Sequence, residues 1–144
     1  MVTVLVVDDS PPVQKSLLDL FETTEEIQVV GTALNGVEAI EEARKLCPDV
    51  AVVDISMPLM DGIEATQHIT ELCQLTRVVM LSTYDQPIYV QRALEVGAAG
   101  YVLKDDVRGD LRQAVLALHE GDNYFSEKVA PIAASFLERK EGDD

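Results

Sequence analysis

The chain has 144 residues, 47% hydrophobic and 26% charged, with 26 acidic against 11 basic side chains and a formal charge of -15. That length holds one domain with a full core and is short for two, and so acidic a surface repels nucleic acid and anionic membrane. No apolar run reaches the length of a membrane span, and no basic region precedes the first apolar residues as in a signal peptide, so a cytoplasmic protein is expected.

Thr3 to Val7 is a β-branched run that reads as a first buried strand. It ends in Asp8-Asp9-Ser10-Pro11-Pro12, where Ser10 can cap a helix that starts on proline. Val13, Leu17, Leu18, Leu20 and Phe21 supply that helix with an apolar stripe. Ile27 to Ala33 is a second strand, with Gly31 marking a bulge or close packing, and Asn35 caps a helix to about Lys45 with Val37, Ile40, Ala43 and Leu46 inward. Val50 to Val53 is an apolar run typical of a strand buried on both faces, stopping at Asp54. Asp61 caps a third helix, with Ile63, Ile69 and Leu72 inward. Arg77 to Leu81 is a fourth strand, followed by Ser82-Thr83 and a helix over Pro87 to Val96. Gly100 to Leu103 is a fifth strand, followed by Lys104 and a helix from Arg108 to Glu120. Ser126 starts a sixth helical piece through about Lys140, interrupted early by Pro131, and residues 141–144 read as linker or frayed end. Cys47 and Cys73 lack CxxC spacing and His neighbours, and are expected as two bland thiols.

Five strands alternating with helices require parallel pairing through right-handed crossovers. The predicted fold is a flavodoxin-like, doubly wound α/β domain with a five-stranded parallel sheet in the order 2-1-3-4-5, helices on both faces and an extra C-terminal helical segment. The expected division is a domain over 1–121 and an extension over 122–144.

In such a sheet the carboxyl ends of the strands share one edge, which gathers Asp8, Asp9, Asp54, Ser82, Thr83 and Lys104. Taken alone, Asp54 reads equally as a turn cap or as a reactive group. Three carboxylates at a switch point, however, repel one another unless a cation sits among them. Carboxylates without His or Cys suit Mg²⁺. Lys104 adds a second positive charge and a hydroxyl adds a donor, which makes a pocket for a phosphoryl group with Asp54 as nucleophile. His68 and His119 have no metal-type neighbours and read as ordinary exposed histidines, and Tyr84 and Tyr89 as surface aromatics.

The ordered set of Asp8-Asp9, Asp54 with Met57-Pro58 and Asp61-Gly62, Ser82, and Gly100-Tyr101-Val102-Leu103-Lys104 resembles the receiver domain of two-component response regulators, over about residues 2 to 121. Leu81-Ser82-Thr83-Tyr84-Asp85, Gln91 to Ala98 and Tyr124-Phe125-Ser126 are most similar to the subfamily with a LuxR-type helix-turn-helix output domain. The resemblance implies that Asp54 accepts phosphate from a sensor histidine kinase. It implies direct Mg²⁺ ligation by Asp9 and Asp54, Asp8 acting partly through water, and the Ser56 backbone carbonyl as a further ligand. It makes Ser82, rather than Thr83, the switch hydroxyl, pairs Lys104 with the phosphoryl group, and makes Tyr101 the reporting aromatic. It further implies homodimerisation on phosphorylation and contact with DNA only through an output domain that lies outside this chain. Two positions depart from the commonest pattern: Ser stands at 82 where Thr is usual, and Asp105 follows Lys104 where Pro is frequent.

Two other readings compete. A stand-alone receiver would be a protein-binding adaptor, distinguished by whether the reading frame continues past Asp144 into a helix-turn-helix. A phospho-aspartate phosphatase needs an acid/base aspartate two residues beyond the nucleophile, where this chain has Ser56. The expectation is therefore a phosphoacceptor switch, with at most self-catalysed phosphorylation and dephosphorylation. A dinucleotide-binding domain is disfavoured because no glycine-rich loop follows the first strand.

Overall fold

A computed structural model describes residues 1–142. Its strands are β1 (Val2–Val7), β2 (Ile27–Ala33), β3 (Val50–Asp54), β4 (Arg77–Ser82), β5 (Gly100–Leu103) and β6 (Tyr124–Phe125). Its helices are α1 (Pro11–Glu22), α2 (Gly36–Leu46), α3 (Gly62–Leu72), α4 (Pro87–Glu95), α5 (Val107–His119) and α6 (Ala130–Gly142), with one 3-10 turn over Lys104–Asp106. All strand pairs are parallel, in the order β2-β1-β3-β4-β5-β6. The flavodoxin-like order expected for the first five strands is present, and β6 is an addition. Its two residues pair with Gly100 and Tyr101, too short a stretch for periodicity to show.

Successive strand residues point to opposite faces, and this splits the apolar residues into two cores. Leu5, Val7, Ala51, Val53, Met80 and Tyr101 face the side covered by α2, α3, α4 and α6. Val4, Val6, Val50, Val52, Val79, Leu81 and Val102 face the side covered by α1 and α5. Strands buried on both faces need continuous apolar sequence, as β1 and β3 have. The register aligns Val7 with Val53, Asp54 with Leu81, and Ser82 with Leu103, so the strands end together on one edge.

Three helices begin at the predicted caps. Ser10 Oγ accepts from Val13 N (3.4 Å), Asn35 Oδ1 from Glu38 N (2.9 Å) and Asp61 Oδ1 from Glu64 N (2.8 Å). The inward faces of α2 and α3 differ from expectation. Ala43 and Ile69 face the sheet as expected, but Val37, Leu46 and Leu72 are exposed, and Ala39 of α2 and Ala65 and Thr66 of α3 are buried in their place. Small residues let these helices lie close to the strands, and a reading weighted by large apolar side chains misses them. Gly31 sits beside a register shift between β1 and β2, as a bulge requires.

The C-terminal segment also differs. Ser126 does not start the helix with its side chain. Its Oγ accepts from Leu103 N (2.9 Å), and its backbone carbonyl accepts from Val129 N and Ala130 N. Pro131 lies in the first turn of α6, where a missing N–H costs nothing, so it does not interrupt the helix. Val129 and Ala133 are fully buried against the α4 side of the core.

Cys47 and Cys73, expected as free thiols, are paired in a disulfide. They lie 26 residues apart in sequence, and only the packing of α2 beside α3 brings them together.

Candidate functional site

Asp54 ends β3, Asp8 follows β1, and Lys104 follows β5, so the shared register delivers all three to one edge. Asp8 and Asp54 are 0% and 2% exposed, while Asp9 beside them is exposed. Lys104 Nζ lies 3.2 Å from Asp54 Oδ1 and 3.5 Å from Asp8 Oδ2, bridging the two buried carboxylates. Ser10 N donates to Asp8 Oδ1 (2.9 Å) and Ser56 N to Asp54 Oδ1 (3.3 Å). Of the other two oxygens, Asp54 Oδ2 is buried without a donor, and Asp8 Oδ2 is buried with only its 3.5 Å ion pair to Lys104.

Burial and the Asp8 charge push the Asp54 carboxyl up from 3.8 to about 6, with Lys104 and the Ser56 N–H opposing them. For Lys104, burial alone would lower the pKa. The charges of Asp54 and Asp8 outweigh it, and the ammonium is held above its ordinary value.

Oxygens of Asp8, Asp9 and Asp54 all lie within 4.8 Å of one another. Three carboxylates and one ammonium leave two negative charges unmatched, and the buried Asp54 Oδ2 is orphaned. An all-oxygen set of this charge fits a hard divalent cation of the Mg²⁺ kind.

Ser82 and Thr83 separate clearly. Ser82 is 1% exposed at the end of β4, whereas Thr83 is exposed. Ser82 Oγ accepts from Tyr84 N (2.8 Å), and Tyr101 Oη donates to the carbonyl of the same Tyr84 (2.7 Å). Tyr101 is fully buried, and burial pushes its phenol up to about 12. Tyr84 and Tyr89 are not simple surface aromatics. Their rings stack at 4.3 Å, and Tyr84 Oη accepts from Ser56 Oγ (3.3 Å), so they form one wall of a hollow shared with Asp9, Ser56 and Asp61. His68 and His119 are exposed on α3 and α5.

Two further residues shape the edge: Gln14, which the sequence reading did not single out, and Gly62 of the Asp61-Gly62 turn. Gln14 Nε2 donates to the carbonyls of Asp8 (3.0 Å) and Ala33 (2.6 Å), tying the ends of β1 and β2 together. Its only sequence signal is a long polar side chain one turn above the acidic pair. Gly62 N donates to Ile55 O (2.8 Å), and a Cβ at Gly62 would collide with the Asp54 carbonyl oxygen. Only glycine lets α3 start this close behind Asp54.

A parallel sheet in this order, with a carboxylate cluster and a lysine at its carboxyl edge, defines a flavodoxin-like receiver fold. The chain belongs to the response regulator receiver domain family, whose model matches residues 4–116. It is 39% identical over 121 residues to the transcriptional regulatory protein LnrK of Bacillus subtilis strain 168, covering 84% of this chain and 55% of LnrK. It is 36% identical over 135 residues to the nitrate/nitrite response regulator protein NarL of Escherichia coli K12, covering 94% of this chain and 62% of NarL. The chain thus spans less than two thirds of these curated relatives. Among solved structures it superposes on a LuxR-family two-component response regulator from Aurantimonas sp. SI85-9A1 with a TM-score of 0.88 and 32% identity, covering 96% of this chain and 98% of that one. It superposes on the isolated receiver domain of RcsB from Salmonella enterica serovar Typhimurium, in the presence of the phosphomimetic BeF3-, with a TM-score of 0.82 and 28% identity, covering 91% and 97%. The chain is a receiver domain of a two-component response regulator of the LuxR/NarL type.

Proposed function

We propose that this receiver accepts a phosphoryl group on Asp54 from the phosphohistidine of a sensor histidine kinase. The observation that carries the proposal is Lys104 bridging Asp8 and Asp54 while Asp54 Oδ2 stays buried and unpartnered. In the proposed transfer, Asp54 Oδ2 attacks phosphorus and the phosphorus–nitrogen bond of the phosphohistidine breaks. The electron pair returns to the imidazole. Lys104 places a positive charge beside the incoming phosphoryl oxygens, and Asp54 must be ionised to attack.

Asp8, Asp9 and Asp54 would hold Mg²⁺, with the Ser56 backbone carbonyl as a further ligand. When bound, Mg²⁺ neutralises charge developing on the phosphoryl oxygens. Once Asp54 is modified, Ser82 turns its hydroxyl toward the phosphoryl group and gives up Tyr84 N. Tyr101 holds the carbonyl of Tyr84 and so senses that exchange. The chain is a switch that turns over only its own acyl phosphate. Its change of face drives homodimerisation and, through a DNA-binding output domain outside residues 1–144, transcription in the cytoplasm.

The test is labelling by acetyl phosphate with Mg²⁺, followed by intact mass. The unsubstituted chain gains one phosphoryl group and Asp54→Asn gains none. Equal incorporation in the variant removes Asp54 from the role.

A further inference from the structure

The acidic edge does not account for the opposite edge of the sheet, where α2 and α3 both end. Cys47 follows the last residue of α2 and Cys73 the last residue of α3, with Cα atoms 5.7 Å apart, inside the span that a disulfide bridges. Backbone and hydroxyl contacts hold this junction together independently of sulfur. Thr76 Oγ1 donates to Pro48 O (2.6 Å), Arg77 N to Asp49 O (3.0 Å) and Thr76 N to Cys73 O (3.0 Å). The two cysteines therefore stay within bonding reach whether joined or not. Cys47 is open to solvent and Cys73 is 5% exposed. Cys73 Sγ lies 3.2 Å from the Ala43 carbonyl, an acceptor for its thiol when the pair is reduced. Each oxidation state thus has a satisfied arrangement at this place.

We propose that Cys47 and Cys73 are a reversible dithiol–disulfide couple, a thiol-oxidation site that takes a low-molecular-weight disulfide such as oxidised glutathione as its oxidant. The Cys47 thiol loses its proton to water, and the thiolate attacks one sulfur of the glutathione disulfide. That disulfide bond breaks, and the departing glutathione thiolate takes up a proton. The Cys73 thiol then loses its proton and attacks the Cys47 sulfur, expelling the second glutathione as a thiol. The protein gives up two hydrogens and the glutathione disulfide becomes two thiols. Excess reduced thiol runs the sequence backwards. Cys47 is the entry point because it is exposed. Cys73 resolves because the Thr76 and Arg77 contacts already hold it beside Cys47. Oxidation staples the ends of α2 and α3 and removes loop freedom from the unfolded chain.

The test uses the full chain, equilibrated with oxidised glutathione or with dithiothreitol. Free thiols are counted, intact mass is measured, and melting is followed in each state. Two free thiols are expected after dithiothreitol and none after oxidised glutathione, with no glutathione retained and a monomer on non-reducing electrophoresis. The melting temperature of the oxidised form rises by roughly 5–15 °C. Cys73→Ser stops at a glutathione adduct on Cys47. Thiols that stay free, an adduct that never resolves in the unsubstituted chain, a covalent dimer, or equal melting of the two forms each overturn the proposal. None of these readouts involves Asp54, so the outcome is separate from that of the phosphorylation test.

Discussion

Asp54 carries the electrostatic cost of the site. Its carboxyl is held at about 6, so the folded protein binds that proton more tightly than the unfolded chain does. The stability this contributes is fully present below the ordinary carboxylate pKa and is lost as pH rises through about 6. The cation-free protein is therefore expected to lose this contribution, and to melt at a lower temperature for it, between about pH 4 and about pH 6, followed by calorimetry. Asp54→Asn should flatten that slope, and an unchanged slope would assign it to another group. Mg²⁺ is expected to raise the melting temperature more above pH 7 than at pH 5, because a protonated carboxyl is a poor ligand. Lys104 sets the other sign. Lys104→Met leaves Asp8 and Asp54 buried and facing each other without their shared cation. With Lys104 partly open to solvent, a loss of about 1–3 kcal/mol in urea unfolding above pH 7 is expected, shrinking as the pH is lowered.

At the scale of elements, the junction of β3 with α3 is the least tolerant. Gly62→Ala drives a methyl group into the Asp54 carbonyl oxygen, and the strand end that positions Asp54 must shift. A destabilisation of about 2–4 kcal/mol is expected by denaturant unfolding, together with loss of acetyl phosphate labelling. Wild-type labelling in a folded variant would show that the strand end tolerates the shift. This junction was legible in the sequence, because an apolar run broken by Asp54 and followed by Asp61-Gly62 has few local explanations. The strand ends were legible for the same reason: Val50 to Val53 and Thr3 to Val7 are too apolar to face water. The faces of α2 and α3 were not. Ala39 and Ala65 contribute close approach rather than bulk, and bulk is what a sequence pattern displays. The anchoring of Ser126 on β5 was hidden as well, because a serine before a helical stretch reads first as its cap.

For the molecule as a whole, α6 belongs to the fold energetically. Val129 and Ala133 lie in the same core as Val90 and Ala93 of α4, with Ile132 and Phe136 packed on top. Ending the chain at residue 126 exposes that patch of α4. A loss of about 2–4 kcal/mol in urea unfolding is expected, and unchanged stability would make α6 a passive tether. The disulfide belongs to this scale too. No spacing rule links Cys47 to Cys73, since the link exists only once two crossovers have laid α2 beside α3. The acidic edge was readable earlier because it needs only that strands run parallel and end together.

Tyr84 is pinned at both ends of one residue, its N–H by the Ser82 hydroxyl and its carbonyl by the Tyr101 phenol. In the proposed switch, a Ser82 hydroxyl that left for a phosphoryl oxygen would withdraw one of two bolts from the segment leading into α4. The signal would then begin as an unlatching at a peptide group. What would spread from the site is freedom given to a loop, and the second bolt, a tyrosine sealed inside the core, would decide how far that loop swings.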